Sequence, residues 1–348
     1  MTDVALWREL TGRPPGPVGL RPDEEAALVD AVRVLSQGFG GNRNLSGHGY
    51  LDDPAVLAAY LLVFSPISEA QVEAALRLGG VVSHSGAVLD VGCGPGPAAI
   101  AARRAGFSDV MLLDHSEAAL GVARRRIPGA RAKVWTPGKP LPDGPYDLVT
   151  LAHVVCEVFK RQPDRIEARR DLLVQIAATL SREGQILIVE PARHVVNAEL
   201  LELRDMLVSS GWVVDAPCRF SGACPARAVS AACHAGLQWT PPPALAARFR
   251  AARLDRETLS FGWLLLRPPG SAPRDVPEGV RRVVSDPLVN KAGRVRVLTC
   301  GTDGRRALSG PRNQRWPDRG EALFAEGLEV RETGFGVGPE TRLERWRP

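Results

Sequence analysis

At 348 residues, with 45% hydrophobic and 24% charged side chains, the chain has the composition of a globular protein of two or three modules, not of a disordered tract. Its longest apolar run, around residues 56–64, is too short to cross a bilayer, and MTDVALWREL has the layout of neither a secretory signal nor a transit peptide. The expected setting is therefore cytoplasmic, with no membrane contact. The formal charge of +5 is mild but uneven: ten Lys/Arg stand against three Asp between Arg281 and Arg319, a local surplus of the kind that meets a phosphate backbone.

Residues 1–80 read as a helical module. EEAALVDAVRVL (24–35) places apolar side chains at three- and four-residue steps. DPAVLAAYLLVF (53–64) opens on an Asp-Pro helix entry and is expected to stop before Pro66, after which Ser68 and Gln71 form a capping box for the next helix. From Ala87 the pattern turns to short β-branched or Leu-rich runs separated by apolar-periodic segments: AVLDV (87–91), VMLLD (110–114), AKVW (132–135), DLVTLA (147–152), QILIVE (185–190) and WVVDA (212–216), with LSFGWLLL (259–266) last. That alternation predicts an α/β fold with a doubly wound sheet over residues 81–268. Beyond Pro268, the segments VRRVV and RVRVLTC and the turn GTDG predict a compact, basic, β-rich unit over 269–348.

VLDVGCGPG (88–96) is a strand breaking into a glycine-rich turn, with Gly92, Gly94 and Gly96 at alternate positions and a helix behind them. The spacing fits neither a dinucleotide fingerprint nor a P-loop. Asp114 ends the next strand, where a carboxylate can accept hydrogen bonds from both hydroxyls of an adenosyl ribose. The combined pattern resembles the class I S-adenosylmethionine-dependent methyltransferases. The resemblance implies that Asp90, Gly92, Gly94 and Gly96 flank the methionine part of S-adenosylmethionine, that Asp114 holds its ribose, and that Asp147 opens the fourth strand beside the cleft. The Asn/Asp-Pro-Pro-aromatic tetrapeptide of amino-methylating enzymes is absent, LAHVVCEV standing after the fourth strand, so no catalytic residue is assigned. His153 reads as a packed or surface histidine, and Cys93 and Cys156 as buried thiols.

PCRFSGACPARAVSAACHAG (217–236) holds Cys218, Cys224 and Cys233 in a polar stretch, with Cys300 in a later strand-turn as the natural fourth ligand and His234 as an alternative. No C-x2-4-C knuckle of the zinc type is present, and the wide, irregular spacing suits a four-thiolate iron-sulfur cluster better, with zinc as the alternative. These cysteines, IVEPA (188–192), DPLVNKAGRVRVLTC (286–300) and YLDDPAVLAAYLLVFSP (50–66) resemble the methyltransferase-like ribosomal small-subunit family of mitochondrial assembly factors and their bacterial relatives. The resemblance runs from Tyr50 to Gly304. It implies a methyltransferase-like domain, a 4Fe-4S cluster on Cys218, Cys224, Cys233 and Cys300 in an insertion at about 217–257 between the sixth and seventh strands, and binding to small-subunit ribosomal RNA, with a monomer expected off the ribosome. Arg281, Arg282, Arg294, Arg296, Arg305 and Arg306 are expected to face phosphate. The expected function is that of a small-subunit assembly or translation factor; the alternative is an active methyltransferase on ribosomal RNA or a small acceptor.

Overall fold

The computed structural model describes residues 2–40, 49–218, 220–254, 257–272, 274–291, 293–332 and 334–348. Helices α1 (Asp3–Leu10) and α2 (Pro22–Gly40) lead to α3 (Pro54–Ala59), whose first turn is capped by the Asp53 carboxylate. The expected stop before Pro66 is not there. A π-helical turn, Tyr60–Phe64, joins α3 to α4 (Ser65–Gly79), and the Ser65 amide donates to the Tyr60 carbonyl. A wider turn accommodates a residue that has no N–H to give, so the helix passes through the proline. The continuous helix Pro54–Gly79 meets the length and apolarity of a membrane span, yet it is a core element: Leu57, Leu61, Val63, Val72 and Ala75 are fully buried.

The first sheet comprises β1 (Ala87–Val91), β2 (Asp109–Asp114), β3 (Arg131–Val134), β4 (Tyr146–Ala152), β5 (Leu180–Pro191), β6 (Val213–Ala216), β7 (Ala235–Gln238) and β8 (Thr258–Arg267). Between them lie α5 (Pro97–Arg104), α6 (Glu117–Arg126), α7 (Arg165–Ala177), α8 (His194–Ser209) and α9 (Pro243–Ala252). The strand order is β3-β2-β1-β4-β5-β8-β6, with β7 on β8. Strands β1 to β5 run parallel, and β8 lies antiparallel between β5 and β6. This is the strand order of the class I methyltransferase sheet. Apolar residues of α1, α2 and α4 share one core with β1, β2 and β8, so the N-terminal helices cover one face of the sheet.

A second sheet follows: β9 (Val280–Val283), β10 (Leu288–Val289), β11 (Arg294–Gly301), β12 (Gly304–Pro311), β13 (Ala322–Glu326), β14 (Glu329–Arg331), β15 (Gly334–Gly336) and β16 (Arg342–Trp346), in the order β14-β15-β12-β11-β9-β13-β16 with β10 on β11. Val283, Val295, Val297, Leu308 and Leu323 form its core. It meets the first sheet through a bridge between Gly236 and Arg319.

Inside the first sheet, Arg267 of β8 forks onto Asp215 of β6 with both contacts at 2.7 Å, and Gln185 donates to the same carboxylate at 2.6 Å. The Asp215 side chain is wholly buried. Replacing one member of such a pair strands the other charge. Asp215→Ala is therefore expected to lower the unfolding free energy by about 3 kcal/mol, read from urea denaturation, whereas breaking a surface pair such as Arg342–Glu344 is expected to leave the urea midpoint nearly unchanged.

Candidate cofactor cleft and cysteine site

Two sites share the edge of the first sheet at which its parallel strands end. Over β1, β2 and β4 lies a cleft of about 370 Å³, walled in part by Tyr50, Tyr60, Asp114, Trp135, His153 and Glu157. That size suits a small organic cofactor. Gly92, Gly94 and Gly96 all have left-handed φ, at 68°, 52° and 84°. A Cβ on Gly92 would fall 2.4 Å from Val154 Cγ2, and one on Gly96 2.8 Å from Ile127 Cδ1, so the turn is shaped for glycine.

Asp90 and Asp114 brace this turn. The Gly94 amide donates to Asp114 Oδ2 (2.7 Å), and the Ser116 amide donates to Oδ1 (2.9 Å). His115 Nδ1 lies 3.3 Å from Oδ1, while Oδ2 keeps a lone pair for a further donor such as a ribose hydroxyl. Asp90 accepts from Thr150 Oγ1 (2.8 Å) and from the Ala99 amide (3.0 Å), and burial pushes its carboxyl up to about 7. Asp147 is not in the cleft. It sits at the opposite end of β4, where its carboxylate accepts from the Ala87 amide and the Ser181 hydroxyl. Because the strands are parallel, a residue that opens β4 stands a strand length from the ends that form the site.

His153 is more than packing. It leaves β4 with φ of 62° and lines the cleft. Gln71 Nε2 donates to the Ser260 carbonyl (3.0 Å), which turns Gln71 Oε1 toward His153 Nε2 (2.9 Å). Nε2 therefore carries the proton in this network, and Nδ1 keeps its lone pair. Desolvation pushes the imidazole down to about 4. Glu190, at the end of β5, is buried and pushed up to about 7, with Oε1 accepting from the Cys156 amide. Gln71 is the residue read as a capping box, and its distant partners carry no signature in local sequence.

The second site lies beyond β6. Cys218, Cys224, Cys233 and Cys300 line one cavity together with Arg204, Arg282 and Arg305; His234 does not line it. Among the described residues no three His, Cys, Asp or Glu side chains form a ready-made chelate for a single ion. Burial pushes the Cys218 thiol up to about 12 and Cys300 up to about 11, and raises Cys233; neighbouring cysteines add to the rise. Thiols so placed bind metal by losing protons to it.

One face of α8 holds these loops. Asn197 accepts from the Cys233 amide (2.7 Å) and donates to its carbonyl (2.8 Å). Leu201 packs on Cys224 and Ala226. Arg204 donates to the Phe220 and Gly222 carbonyls and to Asp205, which accepts from the Cys224 amide (3.0 Å). Sequence reasoning passed over Asn197, Arg204 and Asp205; the available signal was polar residues seven and eight positions apart, two helical turns, on a helix face that also carries buried Leu201.

The arginines expected to face phosphate divide. Arg281 and Arg282 are buried, the first bonded to Thr299 and Asp303, the second over the Trp263 ring. Arg305 lines the cysteine cavity, and Arg294 is half-buried against the Ser309 carbonyl. Arg296 and Arg306 are exposed. Positive charge in a strand is not surface charge when its neighbours in the sheet and its cavity claim it.

Residues 73–308 match the family described as mitochondrial small ribosomal subunit Rsm22. The ribosomal protein L11 methyltransferase of Thermotoga neapolitana is 32% identical over 105 residues, which are 28% of this chain and 39% of that protein. The chain thus spans well under half the length of this curated relative. Solved structures resembling it include a SAM-dependent methyltransferase of Leishmania major (14% identity, 76% of this chain and 91% of that one, TM-score 0.38) and the ribosomal protein L11 methylase of Lactobacillus delbrueckii subsp. bulgaricus (16%, 58% and 77%, 0.33). Both scores are low, and the fold assignment rests on strand order.

The His153 environment gives a pH signature. Its native imidazole titrates near 4 and the unfolded one near 6.5, so the unfolded chain binds the extra proton between those values. Stability from this residue is complete above pH 6.5 and is lost as pH falls toward 4, by up to about 1.4 kcal/mol per pH unit. Buried Asp90 and Glu190 push the opposite way, so the comparison is between wild type and His153→Asn: the wild-type advantage in urea midpoint is expected to shrink across that window.

Proposed function

The chain belongs to the mitochondrial small ribosomal subunit Rsm22 family, and we propose that it serves as an assembly or translation factor of the small ribosomal subunit. In this reading a methyltransferase-like domain binds S-adenosylmethionine, a four-cysteine 4Fe-4S cluster staples the C-terminal sheet, and small-subunit ribosomal RNA is the partner. The observation that carries the metal part is that four cysteines from distant parts of the chain line a single cavity. Cys218, Cys224, Cys233 and Cys300 supply an all-sulfur donor set, which fits iron-sulfur or zinc chemistry, and α8 fixes the loops through their backbones as metal sites require.

The cofactor part is supported by the glycine turn and by Asp114, whose carboxylate is aimed at the turn with acceptor capacity left. Asp114→Ala is expected to abolish binding of S-adenosylmethionine in calorimetry, because the mutation removes both the ribose acceptor and the anchor of Gly94. Retained affinity would put the cofactor elsewhere.

For the metal and the partner, the deciding experiment is anaerobic purification with absorption spectrum, iron and zinc quantification, and co-sedimentation with small ribosomal subunits. A brown, iron-loaded protein that sediments with the small subunit is expected; a colourless, metal-free one removes the cluster. Ribosomal RNA binding is assigned to the exposed arginines. Charge reversal at Arg296 and Arg306 is expected to weaken RNA binding and to lower the slope of log affinity against log salt by about one for each phosphate no longer neutralised.

A second reading, methyl transfer, is favoured by His153. When bound, S-adenosylmethionine supplies an electrophilic methyl group. His153 Nδ1, with its tautomer fixed by Gln71, is a proton acceptor for an N–H or O–H nucleophile entering the same cleft.

A further inference from the structure

The register of the second sheet puts Cys300 in unusual company. Its partner on β9 is Arg282, and its partner on β12 is Arg305. Directly paired residues on adjacent strands point to the same face, so two guanidinium groups flank this thiol. Arg204 reaches the same cavity from α8.

Arg204 pairs with Asp205 at 2.6 Å, but no ion pair to a carboxylate is made by Arg282 or Arg305 among the described residues. Arg282 is 7% exposed and the Arg204 side chain 1%. Arg204 Nε, Arg282 Nη2 and Arg305 Nε are each buried with no hydrogen-bond partner among the described residues. Arg282 rests on the Trp263 ring, 4.9 Å from its centroid. Among the described residues no aspartate or glutamate lines the cavity. A buried charge without a partner is strongly destabilising. The cavity is therefore built around an anion.

We propose that Arg204, Arg282 and Arg305 form a cationic shell that pairs with a negatively charged, thiolate-held centre, and that this pairing docks the C-terminal sheet onto the methyltransferase-like domain. The inference rests on the metal reading above. Four thiolates outweigh the charge of one zinc ion or of an oxidised 4Fe-4S core, so either centre presents net negative charge. Cys218, Cys224, Cys233 and Arg204 come from one side of the interface, and Cys300, Arg282 and Arg305 from the other. The arginines are positioning residues. They meet the charge of the centre and not its bonds, and they bind the two halves of the site by attraction across the interface.

The test is a reversal of sign. Full-length protein purified anaerobically, and the same protein stripped with a chelator, are compared by thermal unfolding for wild type and Arg282→Met, with iron and zinc quantified in every sample. In the loaded form, Arg282→Met is expected to lower the unfolding temperature by a few degrees, because the centre loses a counter-charge. In the stripped form the same substitution is expected to raise it, because a stranded buried charge is replaced by an apolar side chain. Arg305→Met provides the same comparison if Arg282→Met does not fold. A shift of one sign in both forms overturns the proposal while leaving the metal reading intact. Wild-type protein that contains neither iron nor zinc overturns the metal reading, and the proposal with it.

Discussion

Because β8 runs antiparallel between β5 and β6, the chain has to enter it from the edge at which β6 ends. Pro191, the last residue of β5, pairs with Phe261 near the start of β8, whereas Ala216, the last residue of β6, pairs with Leu265 near the end of β8, so β8 begins at the edge where β5 ends. This is also the edge where β1, β2 and β4 finish. The connection from β6 to β8 therefore returns to the sheet at the edge that carries the cofactor cleft. The same strand supplies the Ser260 carbonyl that orients Gln71, and the Trp263 ring beneath Arg282. One topological constraint thus places the tautomer of His153 and the wall of the cysteine cavity within a few residues of each other.

The cysteine loops have little regular structure, a short 3-10 turn at Arg227–Val229 aside, and their order comes from α8. Asn197 and Asp205 accept from the backbone amides of Cys233 and Cys224, and Arg204 satisfies carbonyls in the loop between Cys218 and Cys224. Polar side chains are being used where a strand would use its ladder, and each is buried enough that losing its partner would cost more than the bond itself contributes. The consequence for the proposed metal site is that the loop backbones are held by α8 independently of any sulfur ligand. Less conformational entropy is then left for the ligand bonds to offset.

Much of the scaffold was legible because its signals are local. All seven main strands of the first sheet fall on β-branched or Leu-rich runs, and the glycine turn and Asp114 stand where a strand must break and a carboxylate must wait. The cysteines were legible as a set because thiols are poor surface residues. What escaped was non-local or geometrical. Pro66 signals a helix end by lacking a donor, but a π turn removes the need for that donor. Asp147 lies on the correct strand and at the wrong end of it, a distinction that strand direction settles and residue type does not. Gln71 carries a capping signature and is recruited instead by residues 82 and 189 positions away.

The arginine-rich C-terminal sequence shows why a charge count misleads. Alternate residues of a strand share a face, so Arg294, Arg296 and Cys300 point to the same side of β11, while Val295, Val297 and Thr299 fill the core. At the Gly301 end that side is closed against the first sheet, and Arg282 and Arg305 are spent on the cavity. Toward the other end it opens, and Arg296 is exposed. In the proposed reading, buried cations matched by a thiolate centre contribute little to the field outside, and a polyanion would meet only the open part of the face. Its reach from the cofactor cleft is fixed by how the two sheets dock. In that reading the inner arginines would influence recognition through the placement of the outer ones, and not through their own charge.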